Sequence, residues 1–261
     1  MPLSKKNEKL TAFRAFSHKE FRRFYIGSIA AQMGFWFSHI SYQALMADLT
    51  NDELWVSLLF VVTFIPVLAL GPLGGLLADR LDRKKLLLST YASLIVISCV
   101  QVTLVATDSI SPFVLLCTSF LVGIVMAVLA PVVQAVTANT VPNEDLSSAI
   151  SLQAMASNAS RVLGPAFCAP LVSNNLYEVS WSLYGIGAAL ALVIAAGITL
   201  FPYDLETERI PIIQSLSDGV RHAKGKKAAW QALLLVSFIS IFGVSHVALT
   251  PSFTANSLGK A

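Results

Sequence analysis

The chain has 261 residues, 55% of them hydrophobic and 13% charged, with a formal net charge of +3. Soluble domains carry about 25% charged residues, so this composition excludes an ordinary soluble domain. No groove or fold presents the interspersed basic residues to a phosphate backbone, so no nucleic-acid partner is expected.

Residues 1–23 hold seven Lys or Arg and form a polar N-terminal segment. Uncharged or nearly uncharged blocks follow. Phe24–Ala47, Leu54–Ala78, Leu86–Thr107, Ser109–Asn143, Val179–Tyr203 and Ala228–Gly259 contain no Asp, Glu, Lys or Arg, and Leu146–Tyr177 contains only Arg161. A helix crosses a bilayer with roughly 20 apolar residues. Backbone groups in lipid must satisfy one another, and the blocks lack the alternation of barrel strands. The expectation is an all-α, polytopic membrane protein with seven spans: a bundle of six helices over 24–203, a linker over 204–227, and a seventh helix within 228–261. The first block is too long for a signal-peptide core and reads as an anchor.

Basic residues set the orientation. Sixteen of the eighteen Lys and Arg fall in three places: before the first block, between the second and third, and between the sixth and seventh. Such residues stay on the cytoplasmic side. The N-terminus is therefore expected in the cytoplasm, and the loops at 48–53, 108 and 173–178, which carry no Lys or Arg, outside it. In the linker, Ile212, Ile213, Leu216 and Val220 have helical spacing. Two readings stand: an amphipathic helix on the membrane surface, or a solvated linker.

In the short loop after the second block, "GPLGGLLADRLDRKK" puts glycines ahead of an acid and a basic cluster. Gly71, Gly74 and Gly75 suit close helix approach. Asp79 lies four residues before Arg83, so the pair can exchange partners at a helix end, or the cluster only sets topology.

The first helix carries Ser28, Gln32, Trp36, His39 and Gln43. Gln32, His39 and Gln43 fall within about 20° of one line on a helix. Such a stripe suits either a cavity wall or a helix–helix seam. His39 also has the chemistry of a proton carrier. The fifth block carries Gln153, Ser157, Asn158, Ser160 and Arg161. Arg161 lies about 22 Å along the helix from Leu146 at 1.5 Å per residue. Its partner is an anionic ligand group, Asp48, an acid from elsewhere, or backbone carbonyls. Pro66, Pro72, Pro131, Pro165 and Pro170 lie inside blocks and can bend helices, and Gly123 reads the same way.

No phosphate loop, His-Glu-x-x-His pattern, paired zinc cysteines or nucleophile elbow occurs, so neither enzyme chemistry, a metal nor a cofactor is expected. Cys99, Cys117 and Cys168 read as small packing residues.

"GGLLADRLDRKKLL" resembles the loop 2–3 signature of the major facilitator superfamily. Gly75, Asp79, Arg80, Arg83 and Lys84 match it, while Asp82 replaces its usual Gly. "FRRFYIGSIAAQMG" and "TVPNEDLSSAISLQAMASNASRVLGPA" resemble the branch containing macrolide-efflux and enterobactin-export proteins. Gly164-Pro165 resembles the helix 5 signature of the superfamily's antiporters, a partial match because Cys168-Ala169 replaces its Gly-Gly. The resemblance implies a secondary exporter, proton-coupled, for a small amphipathic molecule of drug or siderophore type. Asp79 and Arg83 would belong to a cytoplasmic gate, and Gln32, Trp36, His39, Gln43, Asn158 and Arg161 to the cavity. Such transporters pair two six-helix bundles, so the chain is expected to be a fragment whose C-terminal half comes from the same chain or a second one. The alternative expectation is a non-transporting membrane scaffold or sensor.

Overall fold

The computed structural model describes residues 12–202 and the isolated positions Arg221, Gly225, Lys226, Trp230, Gln231, Leu234 and Leu235. The linker's two readings and the seventh helix lie outside the described residues, those isolated positions aside.

The described residues form six long helices: α1 (Lys19–Thr50), α2 (Glu53–Arg80), α3 (Arg83–Ala106), α4 (Pro112–Ala138), α5 (Leu146–Ser173) and α6 (Tyr177–Gly197). 3-10 turns at Arg14–Ser17 and Asn143–Asp145 lead into α1 and α5. By length and composition, α2, α3, α4 and α6 can each cross a membrane. Helices α1 and α5 have 32 and 28 residues, more than the roughly 20 a span needs. They fall short in apolarity, because they carry the Gln, His, Asn and Arg residues singled out in the sequence.

The helices run past the uncharged blocks. The first block ends at Ala47, yet α1 continues to Thr50, whose hydroxyl donates to the Met46 carbonyl at 2.7 Å. Asn51 then stops it in the left-handed region with φ 50°. Asp108 (φ 49°) and Asn175 (φ 56°) occupy the same region after α3 and α5. Asn and Asp tolerate this conformation better than other side chains. The turn between α2 and α3 is only Leu81–Asp82, so Asp79 and Arg80 are helical. Asp82, where the family pattern has Gly, caps α3 by accepting from the Lys85 amide at 2.9 Å, at a φ of −59° that needs no glycine.

One end of the bundle is tied together by polar contacts. Lys84 Nζ donates to the Ile198 carbonyl at 2.7 Å, the Thr199 amide to Glu20 at 3.0 Å, and the Phe201 amide to the Asn139 carbonyl at 2.8 Å. The turn before α1 docks on the start of α5. Arg14 and His18 meet the buried Asp145 at 3.0 and 2.8 Å, and Ser148 accepts from the Ala15 amide at 3.1 Å. These are the helix ends that alternation assigns to one side. At the opposite end Tyr177 hydrogen-bonds Asp48.

Packing follows small residues. The main helix contacts are α2 with α4, α1 with α6, α3 with α6 and α1 with α5. A methyl group on Gly74 would strike the Ala127 carbonyl, and one on Gly123 the Thr63 carbonyl, so α2 and α4 touch backbone to backbone. Gly123 is therefore a packing contact, not merely a bend. Gly71 and Gly75, by contrast, have open space beside them. Pro66, Pro72, Pro131, Pro165 and Pro170 all lie within continuous helices. The largest buried cluster joins Tyr91 and Leu94 of α3, Val132 of α4 and Tyr184 of α6. A second, around Trp181, Tyr42 and Met46, lies nearer the opposite end. Helix α1 packs mainly on α6 and α5 and makes a smaller contact with α2.

Candidate functional site

The polar stripe of α1 splits between its two neighbours. Ser28 is buried, and its hydroxyl accepts from Gln32 at 3.3 Å on its own helix and from Gln153 of α5 at 2.5 Å. Two turns further along α1, Gly164 of α5 lies so close to Trp36 that an added methyl would collide with the Trp36 Cβ. Gly164 therefore makes room for an aromatic neighbour, beside whatever Pro165 does to the helix. Further still, Cys168 Sγ lies 3.8 Å from Ser41 Oγ and 3.6 Å from the Phe37 carbonyl. Contacts in the order 28–153, 36–164 and 41–168 put α1 and α5 parallel and in register.

Arg161 sits on the exposed face of this pair with Asn158 one turn before it. Asn158 donates to the Ala154 carbonyl at 2.9 Å. The Arg161 guanidinium lies 5.9 Å from the centre of the Trp36 ring. Among the described residues no carboxylate pairs with it, and Asp48 is held by Tyr177 at the helix ends instead. The energies are unequal. Placing Arg at the middle of a membrane helix costs about 2.5–3.5 kcal/mol on insertion scales. A cation–π contact returns about 0.5–2 kcal/mol. Trp36 offsets only part of the cost.

On the other side of α1, His39 is buried and enclosed by rings. Phe35 stacks on it at 5.7 Å, Trp36 meets it edge-on at 5.6 Å, and Phe60 and Phe64 of α2 lie 6.1 Å away. Gln43 hydrogen-bonds His39 Nε2 at 2.9 Å. Phe60 and Phe64 pack at 4.6 Å, and Phe64 is 39% exposed. A continuous wall thus runs from Arg161 through Trp36 and His39 to Phe64. Sequence reasoning missed Phe60 and Phe64. Their i,i+4 spacing was the available signal, hidden because every neighbour in α2 is also apolar.

The charged cluster lies at the end of the bundle that carries the basic residues. Arg83 Nη1 donates to the Asn139 side-chain oxygen at 2.6 Å and Arg83 Nε to the Ala78 carbonyl at 3.0 Å. Asp79 is farther, at 3.6 Å, and its side chain is 53% exposed against 16% for Arg83. A hydrogen bond to a charged group contributes about 1.5–3 kcal/mol, an exposed i,i+4 pair about 0.3–0.5 kcal/mol. Asn139 and the backbone therefore hold Arg83, and most of the Asp79 carboxylate stays open to another donor. Arg80 is helical and half-buried; Lys84 is bound to α6 as described. Gly75 faces open space one turn before Asp79. Asn139 was not legible as part of this cluster, since it lies 56 residues from Arg83 in sequence.

A family model described as transmembrane secretion effector matches residues 10–260. The chain is 25% identical over 235 residues to YfiS of Bacillus subtilis, an uncharacterised transporter of the major facilitator type, covering 86% of this chain and 55% of the relative. It is 22% identical over 238 residues to the staphyloferrin A transporter of Staphylococcus aureus, covering 88% and 58%. It is 26% identical over 201 residues to macrolide efflux protein A of Streptococcus pyogenes, covering 76% and 49%. The chain spans about half the length of these curated relatives.

Proposed function

The chain belongs to the transmembrane secretion effector family of the major facilitator superfamily, and from that premise we propose that it forms one half of a proton-coupled exporter of small amphipathic molecules. The observation that carries this reading is the wall of Arg161, Trp36, His39 and Phe64. It sits at mid-depth on helices α5, α1 and α2, in a bundle whose other helices are apolar. Substrate sites in this architecture lie near the bilayer midplane between two bundles. The wall supplies one side of such a site: Gln32, Gln43 and Asn158 offer hydrogen bonds, the rings an apolar surface, and Arg161 a charge. The second side comes from another six-helix bundle, in the same longer chain or in a partner. The membrane is the bacterial inner membrane, with the N-terminus cytoplasmic.

Asp79 and Arg83 act at the cytoplasmic end. With Arg83, at the start of α3, fixed by Asn139 at the end of α4, Asp79 presents a carboxylate beside the open face around Gly75. A helix of the second bundle approaches there when the cavity faces outward, and withdraws when it faces in. Asp79→Asn removes the charge while keeping the shape. It is expected to reduce proton-driven efflux to background in cells expressing the complete transporter, with normal membrane insertion. Efflux at the native rate in that variant would remove Asp79 from the mechanism. Gradient-independent accumulation with the native protein would end the exporter reading itself.

A further inference from the structure

Resting on the exporter reading, we propose that the Arg161 guanidinium is an anion-binding point, and that the molecules this site takes carry an acidic group on an apolar or aromatic body. Among the described residues Arg161 is the one charged side chain far from a helix end: it stands 15 residues after the start of α5 and 12 before its end. It is exposed on the bundle's face, no carboxylate pairs with it, and Trp36 meets it only as a ring at 5.9 Å. A cation in surroundings of low dielectric attracts an anion strongly, and a guanidinium offers a paired donor geometry that fits carboxylate, sulfonate or phosphate. Lipid headgroups carry the same chemistry. Even the nearer end of α5, 12 residues on, is about 18 Å away along the helix, so a headgroup at the interface does not reach it. A soluble amphiphile does.

The neighbours describe the rest of the ligand. Trp36 touches the guanidinium on one side and His39 on the other, and His39 continues to Phe60 and Phe64. An acid group on Arg161 therefore places its body along these rings. The wall has no acidic side chain among the described residues, so nothing on it favours a cationic ligand.

The test uses two fluorescent probes with the same body and different charge, dansylglycine and its neutral amide. Both are titrated onto the complete transporter in nanodiscs of zwitterionic lipid. Dansylglycine is expected to bind about tenfold more tightly, the scale of one desolvated charge-assisted contact. Arg161→Gln is expected to abolish the difference by weakening dansylglycine alone, and Arg161→Lys to keep part of it. Equal affinities in the native protein would overturn the proposal, because an acid elsewhere in the transporter would then already occupy Arg161. A preference that survives Arg161→Gln would overturn it too. Should Arg161→Gln fail to insert, the two probes on the native protein and on Arg161→Lys still decide. Proton-driven efflux that persists without any charge preference would leave the exporter reading standing and remove only the anion point.

Discussion

Arg83 shows how a residue's chemistry depends on what reaches it across the fold. Its spacing from Asp79 suggests an ion pair. The structure gives it a better partner in Asn139, at 2.6 Å, while Asp79 stands back at 3.6 Å. Asn139→Ala is expected to destabilise the purified protein by about 1.5–3 kcal/mol, the range for a lost hydrogen bond to a charged group. Thermal unfolding in detergent would read this as a lowered Tm. An unchanged Tm would mean that Ala78 and Asp79 suffice to hold Arg83. Asp79→Asn is expected to spare Tm and strike efflux, because an exposed pair at this spacing adds little stability. Asp145 illustrates the same dependence: its side chain is 6% exposed and closes on Arg14 and His18, more than a hundred residues earlier.

Among the elements, α2 and α4 depend most on small residues. Gly74 and Gly123 lie against the carbonyls of Ala127 and Thr63, and neither backbone can yield without parting the helices. Gly74→Ala and Gly123→Ala are expected to lower the yield of folded protein severalfold, as overpacking a tight contact does. Gly75→Ala, one residue away, meets open space and is expected to leave the yield unchanged. Size-exclusion profiles of the three variants compare them directly. Equal losses at Gly74 and Gly75 would show that helix flexibility, rather than contact, explains the glycines. The α1–α5 pair is held differently, through Ser28, Trp36, Ser41 and their partners. That polar seam explains why these two helices are the least apolar of the six.

At the scale of the molecule, the helix ends form two groups. Basic residues and the contacts of Lys84, Glu20 and Asn139 gather at one, and the turns at Asn51, Asp108 and Asn175 at the other. The proposed orientation follows from charge. In a background freed of native cysteines, Asn174→Cys is expected to react with a membrane-impermeant maleimide in intact cells, and Glu144→Cys only after lysis. The reverse pattern would invert the topology. One bundle also offers only one wall. Vesicles containing these 261 residues alone are expected to show no saturable efflux, and measurable efflux would mean that a single bundle, or two copies of it, completes the site.

The helical class, the places of the six long helices and the two polar ones among them were legible in the sequence, because the bilayer demands long apolar runs and tolerates polar side chains only where they are covered or used. Side-chain stripes such as Gln32–His39–Gln43 follow from helix period alone. Partner choice does not, because it depends on which helices lie side by side. Gln153 on Ser28, Asn139 on Arg83, Tyr177 on Asp48 and Phe60 on His39 each join separate helices. Periodicity says which way a side chain faces along its own helix. Only the packing of α1 against both α5 and α2 decides that Arg161 meets a ring instead of an acid, and that His39 is boxed in by aromatics.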